Sequence, residues 1–377
     1  MTNKYIKIGF ILLFISVISV KSYSEVIHSY DFNTSVKNKD TSFSSDGPIV
    51  IYDNGKILAR GVMPDGNSFR CFSSEISKSD SLSCFVDEIA QGFSFPLKNE
   101  INAENDVYSM PDKMLVVSDI EGNFNGLKMI LTGAGVVDYA LNWSFGNGHL
   151  VIVGDLFDRG INVSQCLWLV YKLEAEALSQ GGKVHFILGN HEFMNLKGDL
   201  RYVRQKTFIN ADSLNLDYSK WYSPDTELGR WLRSKNIVEK IGDILFMHAG
   251  INSDFPFADF PLSRINAEAR KRIDIQMSKD DLKKDLFIGR FSPVWFRGIA
   301  EQRLSPAAVD SILYAFSSAK MIIGHTIFDS VTTLYNNKVI AVDLEHQLNS
   351  DSGFMKALFI ENNIFYIIDD KGIRKPL

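Results

Sequence analysis

The chain has 377 residues, 45% hydrophobic and 23% charged, and a formal net charge of −5. Those fractions are ordinary for a globular protein of one large domain or two smaller ones, and the acidic balance gives no general pull toward nucleic acid. With Cys71, Cys84 and Cys166 its only cysteines, no disulfide framework defines the fold.

At the start of the chain, Lys4 and Lys7 precede a mostly apolar stretch, residues 8–20, and then Ser22-Tyr23-Ser24. A basic region, an apolar region and a small-residue site in that order predict a signal peptide cleaved near Ser24. A membrane anchor is the alternative, but the apolar stretch is shorter than the roughly 20 residues a spanning helix needs. The expected product is periplasmic or secreted, with no membrane span after cleavage, and its formal charge moves from −5 to −8. Export permits disulfides, so Cys71 and Cys84, in one β-like region, are a candidate pair. Cys166 lies in a helical pattern and reads as a buried free thiol.

Residues 25–112 lack helical periodicity and read as a small β-rich module. Residues 49–52 and 56–59 flank Asp53-Asn54-Gly55, a hairpin with an Asn-Gly turn. Short strands are also expected over residues 69–72, 82–86 and 93–97, followed by a polar linker over 99–112. From Lys113 the pattern changes. Buried-strand runs over 114–117, 149–153 and 183–188 alternate with helical patterns over 125–132 and 161–178, which indicates βαβ units. Later pairs of apolar runs, 237–240 with 244–247, 331–334 with 339–342 and 358–360 with 364–368, read as hairpins. Residues 193–235 and 251–300 are polar-helical insertions suited to form substrate walls.

Five short segments carry the chemistry, four of them after strand-like runs and the fifth after the short Met321-Ile322-Ile323: Ser118-Asp119-Ile120-Glu121-Gly122-Asn123, Gly154-Asp155-Leu156-Phe157-Asp158-Arg159-Gly160, Gly189-Asn190-His191-Glu192, His248-Ala249-Gly250 and Gly324-His325-Thr326. Open α/β sheets place ligands at such strand ends. Any one of these residues alone reads blandly: Asp119 or Asp155 as a helix cap, Asn190 as a turn residue, a lone His as a satisfied core group. Together, Asp119, Asp155, Asn190, His248 and His325 suit a pair of cations, with Asp155 bridging. Two metals roughly 3.5–4 Å apart would hold a bridging hydroxide and clamp phosphate oxygens. His191, next to Asn190, should face the same cavity, with Asp158 orienting it as a general acid. Arg159 offers a planar fork for phosphate, with a structural salt bridge as its alternative. His28, His149, His185 and His346 have no such setting; His185 reads as core, and His346 at most edges the cavity.

The second and third segments resemble those of the calcineurin-like metallophosphoesterase superfamily, on its phosphoprotein-phosphatase branch. The run from Gly189 to Val203, with Gly229-Arg230-Trp231-Leu232-Arg233 and Pro293-Val294-Trp295-Phe296-Arg297-Gly298, is similar to the bacterial Shewanella-like phosphatases. The resemblance covers about residues 113–345. It implies an α/β (α+β) fold, a four-layer sandwich of two mixed β-sheets flanked by helices, over residues 113–377. It also implies that Asp119 and residue 121 hold one metal, that Asp155 is shared, and that Asn190, His248 and His325 complete the second. His191 with Asp158 would be the acid pair, and Arg159 and Arg297 would hold phosphate. Two departures stand out. Glu121 replaces the usual His of the first segment, and Ala249 replaces a Gly in the fourth. Glu121 can ligate through oxygen, making the first site harder and favouring Mn²⁺ or Mg²⁺ over Zn²⁺, with Mn²⁺, Fe or Zn²⁺ acceptable at the second. Alternatively it has left the shell. The expected function is an exported dinuclear-metal phosphomonoesterase acting on phosphorylated protein or peptide. A nucleotide or small-metabolite phosphatase and a metal-binding protein of impaired turnover are the alternatives.

Overall fold

The computed structural model describes residues 42–377; the expected signal peptide lies outside the described residues. An N-terminal module opens with β1 (Asp46–Asp53), β2 (Lys56–Asp65) and β3 (Ser68–Ile76), a three-stranded antiparallel sheet, followed by the hairpin of β4 (Ser81–Val86) and β5 (Gln91–Pro96). Asn54 and Gly55 join β1 to β2 with φ of 46° and 80°, the mirror-image turn an Asn-Gly pair is suited to. Within the polar stretch that follows, β6 (Val107–Tyr108) is an edge strand of the main body.

The main body continues with β7 (Lys113–Val117), α1 (Phe124–Gly133), β8 (His149–Val153), α2 (Val163–Ser179), β9 (Lys183–Ile187) and α3 (Asn190–Leu196). The first insertion carries α4 (Gln205–Ser213) and α5 (Glu227–Leu232) and leads to β10 (Val238–Ile241) and β11 (Ile244–Met247). The second carries α6 (Leu262–Asp274) and α7 (Lys279–Lys284). After α8 (Pro306–Ala315) come β12 (Lys320–Ile323), β13 (Thr332–Leu334), β14 (Val339–Ala341), α9 (His346–Asp351), β15 (Lys356–Glu361), β16 (Ile364–Asp369) and β17 (Arg374–Pro376). Two six-stranded mixed sheets result, ordered β17-β16-β15-β7-β8-β9 and β13-β14-β12-β11-β10-β6.

The strands read as continuous apolar runs because both faces are buried. Met114 and Val116 of β7, Val151 and Val153 of β8, and Ile244 and Phe246 of β11 point into the core between the sheets. Their neighbours Leu115, Val117, Leu150, Ile152, Leu245 and Met247 point outward, under the helices. This alternation of strand side chains fixes the register.

α2 is buried nearly all round, since the N-terminal module lies over the face the sheet does not cover. Trp168 stacks on Phe95 with centroids 4.5 Å apart and donates through Nε1 to the Pro48 carbonyl at 2.8 Å. Beside it, Tyr52 and Tyr171 both donate to Glu227, at 2.6 and 2.5 Å. The suggested Cys71–Cys84 disulfide is not formed. Cys71 on β3 donates to the Ser213 carbonyl at 3.4 Å, while Cys84 on β4, in the other small sheet, donates to the Gly47 carbonyl at 3.2 Å. All three cysteines are free thiols, and Cys166 is fully buried. No helix among the described residues is long and apolar enough to cross a membrane.

Candidate active site

The loops leaving β7, β8, β9, β11 and β12 at their C-terminal ends bring the five segments together. The first two loops are laced by backbone bonds, Asp119 N to Gly154 O at 3.0 Å, Glu121 N to Asp155 O at 2.9 Å and Gly122 N to Leu156 O at 2.9 Å. Close approach demands glycine at two points. A Cβ on Gly154 would stand 2.4 Å from His248 Nδ1, and one on Gly324 would stand 1.9 Å from Ser118 Oγ. Strain is concentrated here: Asp119, Glu121, Asp155, Asp158, Arg159 and His325 all hold φ between 50° and 72°. Side chains rarely adopt that region, and its recurrence marks functional loops.

Asp155, Asn190, His248 and His325 converge on one point. His248 donates through Nδ1 to the Val153 carbonyl at 2.7 Å, which turns Nε2 toward the others. That Nε2 lies 3.0 Å from Asn190 Oδ1, 3.0 Å from Asp155 Oδ2 and 3.1 Å from His325 Nδ1. His325 Nε2 is buried with no partner. Burial alone would depress His248, yet Asp155 and Asp119 lift it to about 10. Burial opposes the charge on Asp155 as well, but His248 and His191 hold its carboxyl well below the usual range. Asp155 Oδ2, Asn190 Oδ1, His325 Nδ1 and, once deprotonated, His248 Nε2 form a donor set that fits a divalent cation, and the mixed N and O donors suit Mn²⁺, Fe or Zn²⁺.

Asp119 accepts from His325 N at 3.0 Å and from Ser118 Oγ. Burial pushes its carboxyl up, only partly countered by His248. Glu121 sits on the cavity wall and pairs with Arg159, whose guanidinium is therefore engaged rather than free. Burial, then Asp119, lift Glu121 to about 8 despite that pair. Arg297 donates through Nη1 to Thr326 Oγ1 at 3.0 Å and to the His325 carbonyl, and lines the same cavity. The cavity encloses about 250 Å³.

His191 donates from its backbone to Asp155 Oδ1 at 3.0 Å and from Nδ1 to Asp158 Oδ2 at 2.6 Å. Its Nε2 faces the cavity, 3.9 Å from Asp155 Oδ2. Burial would lower this imidazole, but Asp155, Asp158 and Glu121 together raise it to about 9, so Nε2 carries a proton at neutral pH.

Several supporting residues have roles that the sequence does not assign. Glu192 accepts from the backbone N–H groups of Gly189, Asp155 and Leu156 at 2.7–2.9 Å and Phe157 at 3.3 Å, clamping two of the loops. Asn195 donates to Asp158 Oδ1 at 2.9 Å and accepts from the Tyr218 hydroxyl at 2.9 Å. Its place four residues after His191, on the same helix face, was a usable signal. Tyr218 had none, because it arrives from a remote insertion. Tyr202 packs on His191 with ring centroids 5.3 Å apart, and Asp343 lines the cavity 2% exposed. Burial, then Asp119 and Glu121, push Asp343 well above the usual carboxylate range. His185 is buried against Glu239, as expected for a core residue, and His346 is buried but does not line the cavity.

A family model described as calcineurin-like phosphoesterase matches residues 113–327. Shewanella-like protein phosphatase 2 of Arabidopsis thaliana is 24% identical over 77% of this chain and 84% of its own length. Shewanella-like protein phosphatase 1 of Plasmodium berghei is 27% identical over 64% of this chain and 69% of its own. Among solved structures, a cold-active protein-tyrosine phosphatase of a psychrophilic Shewanella species superposes with a TM-score of 0.78 at 36% identity, covering 89% of this chain and 99% of that one.

Proposed function

The chain belongs to the calcineurin-like phosphoesterase family, and from that premise we propose that it is a dinuclear-metal phosphomonoesterase acting on phosphorylated protein or peptide. One observation carries the reading: the His191–Asp158 pair, at 2.6 Å, stands beside the converging Asp155, Asn190, His248 and His325 with two guanidiniums at the same cavity. Mere metal storage needs neither the acid pair nor the arginines.

Asp155, Asn190, His248 and His325 would hold one divalent ion, and Asp119 with Glu121 would contribute to the other, Asp155 being shared. Bound metals would supply a nucleophile drawn from water and electrophilic stabilisation of the phosphoryl group. Arg297 and Arg159 orient the phosphate oxygens, Arg159 after exchanging Glu121 for substrate. His191 gives its Nε2 proton to the departing alkoxide, and Asp158 keeps the ring in the orientation that aims it. Asn195 and Tyr218 in turn fix Asp158.

The cavity mouth favours a phosphate carried on a side chain. Tyr202 and Ile327, 42% and 51% exposed, offer apolar walls at the rim, and Ile327 lines the cavity itself. Relatives named as protein phosphatases support the same substrate class. The test is hydrolysis of phosphotyrosine peptide, phosphoserine peptide and nucleotides, each with several divalent metals. Preference for a peptide supports the proposal, and turnover of nucleotides alone overturns it. Export is proposed from Lys4 to Ser24, outside the described residues. A mature N-terminus at Glu25 outside the cytoplasm supports it, and intact Met1 on a cytoplasmic product rules it out.

A further inference from the structure

We propose that Asp343, outside the five segments, is a ligand of the metal on the Asp119 side of the cavity; this rests on the dinuclear reading above. Strand register puts it there. β12 and β14 run parallel with Ile323 beside Ala341, and Val342 N bonds to Ile323 O at 2.8 Å. Two residues further along each strand, His325 and Asp343 lie abreast at the same sheet end. The position is rigid: Phe328 N bonds to the Asp343 carbonyl at 3.0 Å, and Leu344 is anchored in the core between the sheets.

The side chain is 2% exposed and borders the cavity together with Asp119, Glu121 and Asp155. Every other buried carboxylate of the site has a donor. Asp119 has Ser118 and His325 N, Asp155 has His191 N, and Asp158 has His191 and Asn195. No hydrogen bond or ion pair to the Asp343 carboxylate exists among the described residues. The nearby guanidiniums bond elsewhere through Nη1, Arg159 to Glu121 and Arg297 to Thr326 and the His325 carbonyl. A buried carboxylate without a donor, set among three others, holds its charge only when a cation joins them. A ligand atom of Glu121 lies within 4.8 Å of ones on Asp155 and His191, and Asp343, on the wall of the same cavity, offers a further hard oxygen. Residue 343 also lies beyond the matched family segment, which ends at 327.

The test compares full-length wild type, Asp343→Asn and Asp343→Ala by calorimetric Mn²⁺ titration, bound-metal analysis and thermal melts with EDTA or Mn²⁺. Wild type should bind two Mn²⁺ ions. Both variants should keep one site and lose at least about ten-fold in affinity at the other. In EDTA, Asp343→Asn should melt at or above wild type, because one carboxylate has left a repelling group; with Mn²⁺ it should melt below. Two Mn²⁺ ions bound with wild-type affinity by both variants would overturn the proposal, as would equal losses in melting temperature in both media, which mark a structural role. Weakened phosphate inhibition with unchanged Mn²⁺ binding would overturn it too, by assigning Asp343 to substrate. If wild type binds no Mn²⁺, the dinuclear reading itself fails, an outcome separate from failure at residue 343.

Discussion

His191 shows how neighbours set a residue's task. Buried imidazoles usually lose their proton, but Asp155, Asp158 and Glu121 keep this one charged, up to about 9. Its role as proton donor gives a clear expectation. His191→Ala should lower kcat by about 10²–10⁴-fold, the usual contribution of a positioned acid, with bound metal unchanged. Loss of metal instead, measured by elemental analysis, would make His191 a ligand. Glu121 is the opposite case, a residue whose task the sequence left open between ligation and loss. Its pairing with Arg159 couples the first segment to the second. Glu121→His should shift activation from Mn²⁺ toward Zn²⁺, because an imidazole softens the donor set. Full activity of Glu121→Ala with two bound metals would remove Glu121 from the shell. Asp343 was legible in principle, as a carboxylate at the end of an apolar strand run like Asp119. Its place beside His325 depends on the strand order, a long-range property that sets β14 next to β12.

At the level of elements, loops at the C-terminal strand ends hold the site and an ion network braces the side beneath α2. Lys98, Glu174, Lys235, Glu104 and Lys183 alternate in charge, with Lys235 bonding Glu174 at 2.7 Å and Glu104 at 2.9 Å while 1% exposed. Burial opposes the charge on Glu104, yet Lys235 and Lys183 hold it at about 2. Lys235→Met should cost about 1–3 kcal/mol in urea unfolding, since it removes the buried cation the two carboxylates share and leaves Glu174 with Lys98 and Glu104 with Lys183. A loss below about 1 kcal/mol would show that solvent reaches the network. Residues 98, 104, 174, 183 and 235 show no pattern along the chain, so the sequence could not reveal this brace. α1, α2 and the three late hairpins were legible because their apolar period is local. The helical insertions were legible as helical, yet not as the source of Tyr218, whose contact depends on how the insertion folds back.

Across the whole molecule, one end of the sheets carries the site and the opposite end carries a histidine pair. His149 and His185, on adjacent strands, lie 3.0 Å apart between Nδ1 and Nε2, and His185 bonds Glu239 at 2.7 Å. Burial, then His185 and Lys183, depress His149 to about 3. The unfolded chain therefore takes up this proton near pH 6.5 and the folded chain only near 3. Stability from this group is complete above about pH 6.5 and is lost as pH falls toward 3. His149→Gln should flatten that acid limb in melts between pH 7 and 4, and an unchanged slope would place the loss elsewhere. The central claim is that the converging loops form a two-metal phosphatase centre. The most direct measurement is phosphopeptide hydrolysis by chelator-stripped full-length protein as Mn²⁺ is added back with bound metal counted. Turnover absent without metal and rising as the second ion binds is the expected result, whereas full turnover in the stripped protein, or none with two ions bound, would contradict it.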